Sequence, residues 1–202
     1  MPDVHFETAR NSELIFTYQQ RHLCSSIHPT REAQQWASYH QAKWRECRSI
    51  IVLGLGCGYH VRALKMATDA RIVVLEPSRE VIQAALRVHP LDLSESELLH
   101  WNSVESVTAF SALAEATKNS YAVLVHEPSA FANPSLYLET KEFLLGRKEN
   151  GLRWLFQNRG VEMPAIEESE MNLKTLEPVL EKQLNGELPL QPALQALREL
   201  IA

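Results

Sequence analysis

Three of the seven glycines fall within five positions, in the string Gly54-Leu55-Gly56-Cys57-Gly58-Tyr59-His60. Glycine tolerates left-handed backbone and lets the main chain approach another group closely. The apolar run 50–53 (IIVL) precedes the cluster, and a helix-patterned stretch from Tyr59 to Thr68 follows it. A glycine turn in that setting presents free N–H groups and the positive end of a helix dipole to an anion. Glu76 closes the next apolar run, 71–75 (RIVVL), 18 residues beyond Gly58. On the adjacent strand its carboxylate stands beside the turn and can accept both hydroxyls of a ribose. Gly54, Gly56, Cys57, Gly58, Tyr59, His60, Glu76, Pro77 and Ser78 are therefore the expected binding residues for a nucleotide-like ligand. The plain alternative is a tight turn shaped for packing alone.

A second pair, His126 and Glu127, ends the apolar run 121–125 (YAVLV). Open α/β sheets place their sites at the carboxyl ends of strands. His126 there could act as a general base near neutral pH, with Glu127 beside it. Alternatively both line or cap the crevice. Cys57 could be activated by the helix N-terminus that follows it, or could be the small residue that a tight turn accepts. Tyr59 could stack on a base or pack under the turn.

The elements needed to position these residues are legible along the chain. Residues 50–53 and 71–75 read as strands buried on both faces, 98–101 (LLHW) as a third and 121–125 as a fourth. Helical patterns fill the gaps: Tyr59–Thr68, Arg79–Val88, and a stretch from Asn102, whose pairing with Glu105 resembles a capping box, to Thr117. This alternation predicts an α/β fold, a Rossmann-like doubly wound and mostly parallel sheet. Right-handed crossovers give it the order 3-2-1-4. Upstream, 3–8 and 13–18 read as a β-hairpin, extending one sheet edge or packing separately, and Pro29 to Arg45 as a helix. Downstream, Asn133-Pro134 opens a helix to Leu145, and the strand signal stops. Residues 161–170 read as an acidic loop, and the leucine patterns at 173–184 and 194–201 as amphipathic helices. The expected organisation is a hairpin and helix over 1–48, a nucleotide-binding core over 49–146 and a helical extension over 147–202.

The 202 residues carry 45% hydrophobic side chains, enough for one packed core, and a net charge of −5. That acidic balance lacks the basic footprint expected for nucleic-acid binding. Cys24, Cys47 and Cys57 have no metal-ligand or disulfide spacing. No apolar run approaches a membrane span, and MPDVHFETAR is unlike a signal peptide. These features predict a soluble, cytoplasmic protein with reduced cysteines and no metal. The C-terminal leucine stripes are expected to form core, a homodimer contact or a dock for a protein partner.

The glycine turn is similar to the G-x-G-x-G turn of S-adenosylmethionine-dependent methyltransferases, with His60 in place of the last glycine and Gly54 where an acidic residue is usual. That resemblance implies S-adenosylmethionine as ligand and three further strands after the fourth; the sequence offers none. Two stretches together resemble a more specific family: Ser26-Ile27-His28-Pro29-Thr30-Arg31-Glu32-Ala33, and Ile51 to His60 followed by Val74-Leu75-Glu76-Pro77-Ser78. They resemble the N-terminal domain of motility-associated factor (Maf) glycosyltransferases, over about residues 5–130. The resemblance implies a Rossmann-like domain for a nucleotide or nucleotide-sugar, working with bacterial flagellin glycosylation. The family's separate transferase segment carries a glycine-proline-serine signature. Glu127-Pro128-Ser129, the nearest string here, lacks the glycine. The expected function is therefore an accessory binding module, with a small methyltransferase-like enzyme as the alternative.

Overall fold

In the computed structural model, residues 4–91, 93–94 and 97–161 are described. Strands Val4–Thr8 (β1) and Leu14–Tyr18 (β2) pair antiparallel with Phe6 opposite Phe16, their rings 5.8 Å apart. A two-residue turn then adds Arg21–His22 (β3). Gln19 and Gln20 in that turn both have positive φ, 49° and 62°. Such turns match strand twist but favour Asn and Gly. The expected hairpin is thus a three-stranded sheet of its own, β1-β2-β3, not an edge of the parallel sheet. A two-residue strand after a Gln-Gln turn leaves no sequence pattern to read.

Pro29 opens helix α1 (Pro29–Tyr39) at its first position, where a missing N–H costs nothing. The helix expected to reach Arg45 breaks at His40 and resumes as α2 (Gln41–Trp44). Trp44 Nε1 donates to the Ala37 carbonyl at 3.1 Å, tying the second piece back to the first.

The central alternation comprises β4 (Ser49–Leu53), α3 (Tyr59–Ala67), β5 (Arg71–Glu76), α4 (Arg79–Val88), β6 (Leu98–His100), α5 (Val104–Val107), α6 (Ser111–Ala116) and β7 (Tyr121–Val125). The four strands are parallel in the order β6-β5-β4-β7, so β4 is internal and buried throughout. Val52 pairs with Val74 on one side and Leu124 on the other. The single helix expected from Asn102 is instead two short ones. Its N-cap is Ser103, and the capping box closes on Ser106, not Glu105. After β7 come α7 (Glu127–Ala130), α8 (Pro134–Leu144) and α9 (Glu149–Asn158). No strand follows Val125 among the described residues. The helices expected over 173–184 and 194–201 lie outside them. No helix of the described residues is long and apolar enough to cross a membrane.

Side-chain alternation divides the core by sheet face. Ile50, Val52, Ile72 and Val74 pack with Ile15 and Phe16 of the small sheet and with α1, α3 and α4. Ile51, Leu53, Val73 and Leu75 pack with Trp101, Leu113, Tyr137 and Leu155. Both faces are covered, as a parallel sheet requires. Trp101 is fully buried, and its Nε1 donates to Thr140 Oγ1 at 3.0 Å. Thr140→Val leaves that N–H without an acceptor and is expected to cost about 1–3 kcal/mol in urea unfolding.

Candidate functional site

From β4 the chain turns toward β5, while β7 lies on the other side. The carboxyl end of β4 is therefore the topological switch point at which open α/β sheets bind ligands. Gly54, Gly56 and Gly58 there have φ of 98°, 48° and 83°. Each is held close to the protein itself. A Cβ on Gly54 would lie 2.5 Å from Ser129 Cβ and 3.2 Å from Tyr137 Cε1. One on Gly56 would meet His126 Cε1 at 2.6 Å and the Leu23 carbonyl oxygen at 3.0 Å, and one on Gly58 would meet Leu91 Cδ2 at 2.7 Å.

Glu76 ends β5 and is only 3% exposed. Its Oε2 accepts the Leu55 N–H at 2.8 Å and its Oε1 the Ser78 N–H at 3.1 Å, with the Gly56 N–H also contributing. The carboxylate thus fastens the glycine turn to the start of α4. Burial outweighs these bonds and pushes its pKa up to about 7. Ser78 caps α4 by accepting the Val81 N–H, and its hydroxyl donates to Glu80.

His60 and His126 meet across the turn. Their rings stack 3.8 Å apart and nearly parallel. His60 Nε2 lies 3.0 Å from the Gly54 carbonyl. A carbonyl only accepts, so Nε2 carries the proton in the neutral ring. His126 Nδ1 lies 2.7 Å from Ser129 Oγ. Burial lowers both pKa values, that of His60 to about 4 and that of His126 well below its usual 6.5. The two stacked rings are therefore neutral at pH 7, and His126 is a hydrogen-bonding group there more than a proton store. Trp36 stands edge-on to both rings and donates from Nε1 to Glu127 Oε2 at 3.4 Å. Glu127 itself is exposed at the start of α7. Tyr59 and Cys57 are tied to β2: the Tyr59 hydroxyl donates to the Leu14 carbonyl at 2.8 Å, and Cys57 Sγ lies 3.5 Å from the Phe16 carbonyl.

Gly54, Gly56 and Gly58 line neither of the two cavities between which the other expected site residues are divided. One, about 250 Å³, is lined by Tyr18, Gln19, Glu76, Ser78, Ser129 and Asn133, with Pro77 at its wall. The other, about 240 Å³, is lined by Cys24, Trp36, Cys57, His60, His126 and Glu127. Leu23 borders the first cavity and Cys24 the second. With the Leu23 carbonyl on Gly56, the connection between β3 and α1 runs over the turn and separates the two. A larger groove of about 450 Å³ between α1 and α3 lies away from the strand ends.

Sequence reading missed Leu23, Ser129, Tyr137 and Gln19. Only Ser129 left a signal, its three-residue spacing from His126 at a strand end. Trp36 shares a helical stripe with Ala33, Ala37, His40 and Trp44, a pattern that by itself points to the core. It is half-buried above the histidines. No group of three or more His, Cys, Asp or Glu among the described residues could hold a metal ion. No protein-family model, curated protein or solved structure matches the chain.

Proposed function

We infer that the chain is a Rossmann-like binding module that holds the ribosyl part of a nucleotide-like ligand in the cavity beside Glu76. The observation that carries this reading is Glu76 itself. It is a buried carboxyl group, oriented by main-chain N–H groups, at the wall of a strand-end cavity. Its three N–H donors leave acceptor capacity for a ribose hydroxyl on a carboxylate that offers about four lone-pair sites. Ser78, Ser129, Gln19 and Asn133 add polar groups around the same space. Tyr137, whose ring edge lies against Gly54, has a buried hydroxyl without a hydrogen-bond partner, near Glu76 and Tyr18. Buried polar atoms of that kind ask for a partner that the protein does not supply.

Size narrows the ligand. Ligand pockets usually run from about 300 Å³ upward, and 250 Å³ suits a nucleoside portion more than an extended dinucleotide. S-adenosylmethionine, a nucleotide and a nucleotide-sugar all carry such a portion. Helices alone follow β7 in the described chain, which favours a module over a methyltransferase-like enzyme. The likeness to the Maf N-terminal domain suggests its setting, beside a transferase of protein glycosylation. Its partner would then be that transferase or a second copy of the chain.

Calorimetric titration with adenosine, S-adenosylhomocysteine, AMP and CMP-, UDP- and GDP-sugars tests the reading. At about pH 8, where the Glu76 carboxylate is ionised, at least one riboside is expected to bind, and Glu76→Gln to weaken it about 10-fold or more, as loss of a charged hydrogen-bond acceptor does. The matching 2′-deoxy compound should bind the wild type more weakly and be less affected by the substitution. Absence of binding by every riboside would overturn the reading.

A further inference from the structure

Cys24 and Cys57 line the same cavity, one on the connection that crosses the crevice and the other in the glycine turn beneath it. Their placement follows from the backbone. The Leu23 carbonyl sits over Gly56, so the next residue of each segment brings its thiol to the same place. Both cysteines are free and buried, 9% and 1% exposed, and each lies near enough to the other to influence its ionisation. The binding reading uses neither thiol. Cys47, the third cysteine, lies outside this cavity, beside the Lys43 carbonyl.

We propose that Cys24 and Cys57 are a redox modification site: a hydroperoxide converts them to an intramolecular disulfide that pins the β3–α1 connection to the glycine turn. One thiol sulfur attacks the peroxide oxygen and becomes a sulfenic acid as the O–O bond breaks, releasing water or an alcohol. The second sulfur then displaces the hydroxyl group as water. Two S–H bonds are lost, one S–S bond forms, and the two electrons removed from sulfur reduce the peroxide. The cavity of about 240 Å³ admits a reagent as small as hydrogen peroxide. The neighbouring Cys57 and burial hold the Cys24 thiol protonated, so the reaction is slow at neutral pH and faster in mildly alkaline buffer.

The disulfide would close a loop spanning residues 24–57 and fix the partition between the two cavities. The inference goes beyond the ligand and does not depend on its identity. It is tested on the folded 202-residue chain carrying Cys47→Ser, treated with hydrogen peroxide at about pH 8. Peptide mapping without reductant is expected to find the Cys24 and Cys57 peptides joined, with the loss of two hydrogens, and separated again by dithiothreitol. The melting temperature of the joined form is expected to rise by roughly 5–10 °C. Cys57→Ala should abolish both effects. Should that variant not fold, the peptide map of the Cys47→Ser protein decides alone. Oxidation of both thiols to sulfinic acids without a joined peptide would overturn the site. A joined peptide with an unchanged melting temperature would overturn the pinning.

Discussion

Gly56→Ala is expected to destabilise the fold by about 2–4 kcal/mol, whether or not a ligand is present. The left-handed backbone at φ 48° costs an alanine about 1–2 kcal/mol. The new methyl group would also sit 2.6 Å from His126 Cε1 and 3.0 Å from the Leu23 carbonyl. Neither neighbour yields easily. His126 is buried, stacked on His60 and bonded to Ser129, and the Leu23 oxygen belongs to the main chain. Overpacking of that kind costs about 1–3 kcal/mol. The reduced entropy of the unfolded alanine chain recovers only about 0.4–1 kcal/mol. Gly160 supplies the control. Its φ is 71°, but nothing lies within 4 Å of an added Cβ. Gly160→Ala should therefore cost only the backbone strain, about 1 kcal/mol. Urea unfolding of the two variants checks the difference. If Gly56→Ala were as stable as the wild type and merely weakened ligand binding, the glycine would serve the ligand and not the packing seen here.

That contrast also shows where sequence reading stops. The parallel strands are legible because burial on both faces forces continuous apolar runs, as at 50–53 and 71–75. The turn and Glu76 are legible because they punctuate those runs. What a glycine makes room for is not written beside it. The groups pressed against Gly54 and Gly56 come from residues 23, 126, 129 and 137, tens of residues away. The small third strand and the connection after it are equally silent. Two residues, Arg21 and His22, carry no periodicity, yet the path they set brings Leu23 and Cys24 across the crevice. Glu76 was legible as a carboxylate beside the turn. Its bonds to the Leu55 and Ser78 N–H groups were not, because backbone donors have no sequence signature. The break in α1 at His40 was hidden for the opposite reason: Ala33, Trp36, Ala37, His40 and Trp44 keep a helical stripe across it.

Glu76 and the buried histidines should give stability a pH dependence in which they oppose each other. The Glu76 pKa is raised from 4.5 to about 7 on folding. Between those values the folded protein keeps a proton that the unfolded chain has released. This contribution is complete below about pH 4.5 and is lost as pH rises through about 7, a change of about 3 kcal/mol. His60 behaves in the reverse sense, its pKa lowered from 6.5 to about 4, and His126 shifts the same way. Their contribution is complete above about pH 6.5 and is lost on acidification, because the unfolded chain takes up protons that the buried rings refuse. Between about pH 5 and 6 the unfolded chain thus binds more protons at the histidines, His40 and His89 included, whose pKa values burial also lowers, and about one fewer at Glu76. Stability therefore falls toward acid, and Glu76 opposes that fall. Glu76→Gln removes the opposing group, and the slope should steepen by roughly 1 kcal/mol per pH unit. Above about pH 6.5 the wild type should lose stability with rising pH while the variant stays level. Urea unfolding of both proteins between about pH 5 and 7.5 measures these slopes. Parallel curves for the two proteins would mean that Glu76 is ionised throughout in the fold, held by its N–H donors against the cost of burial.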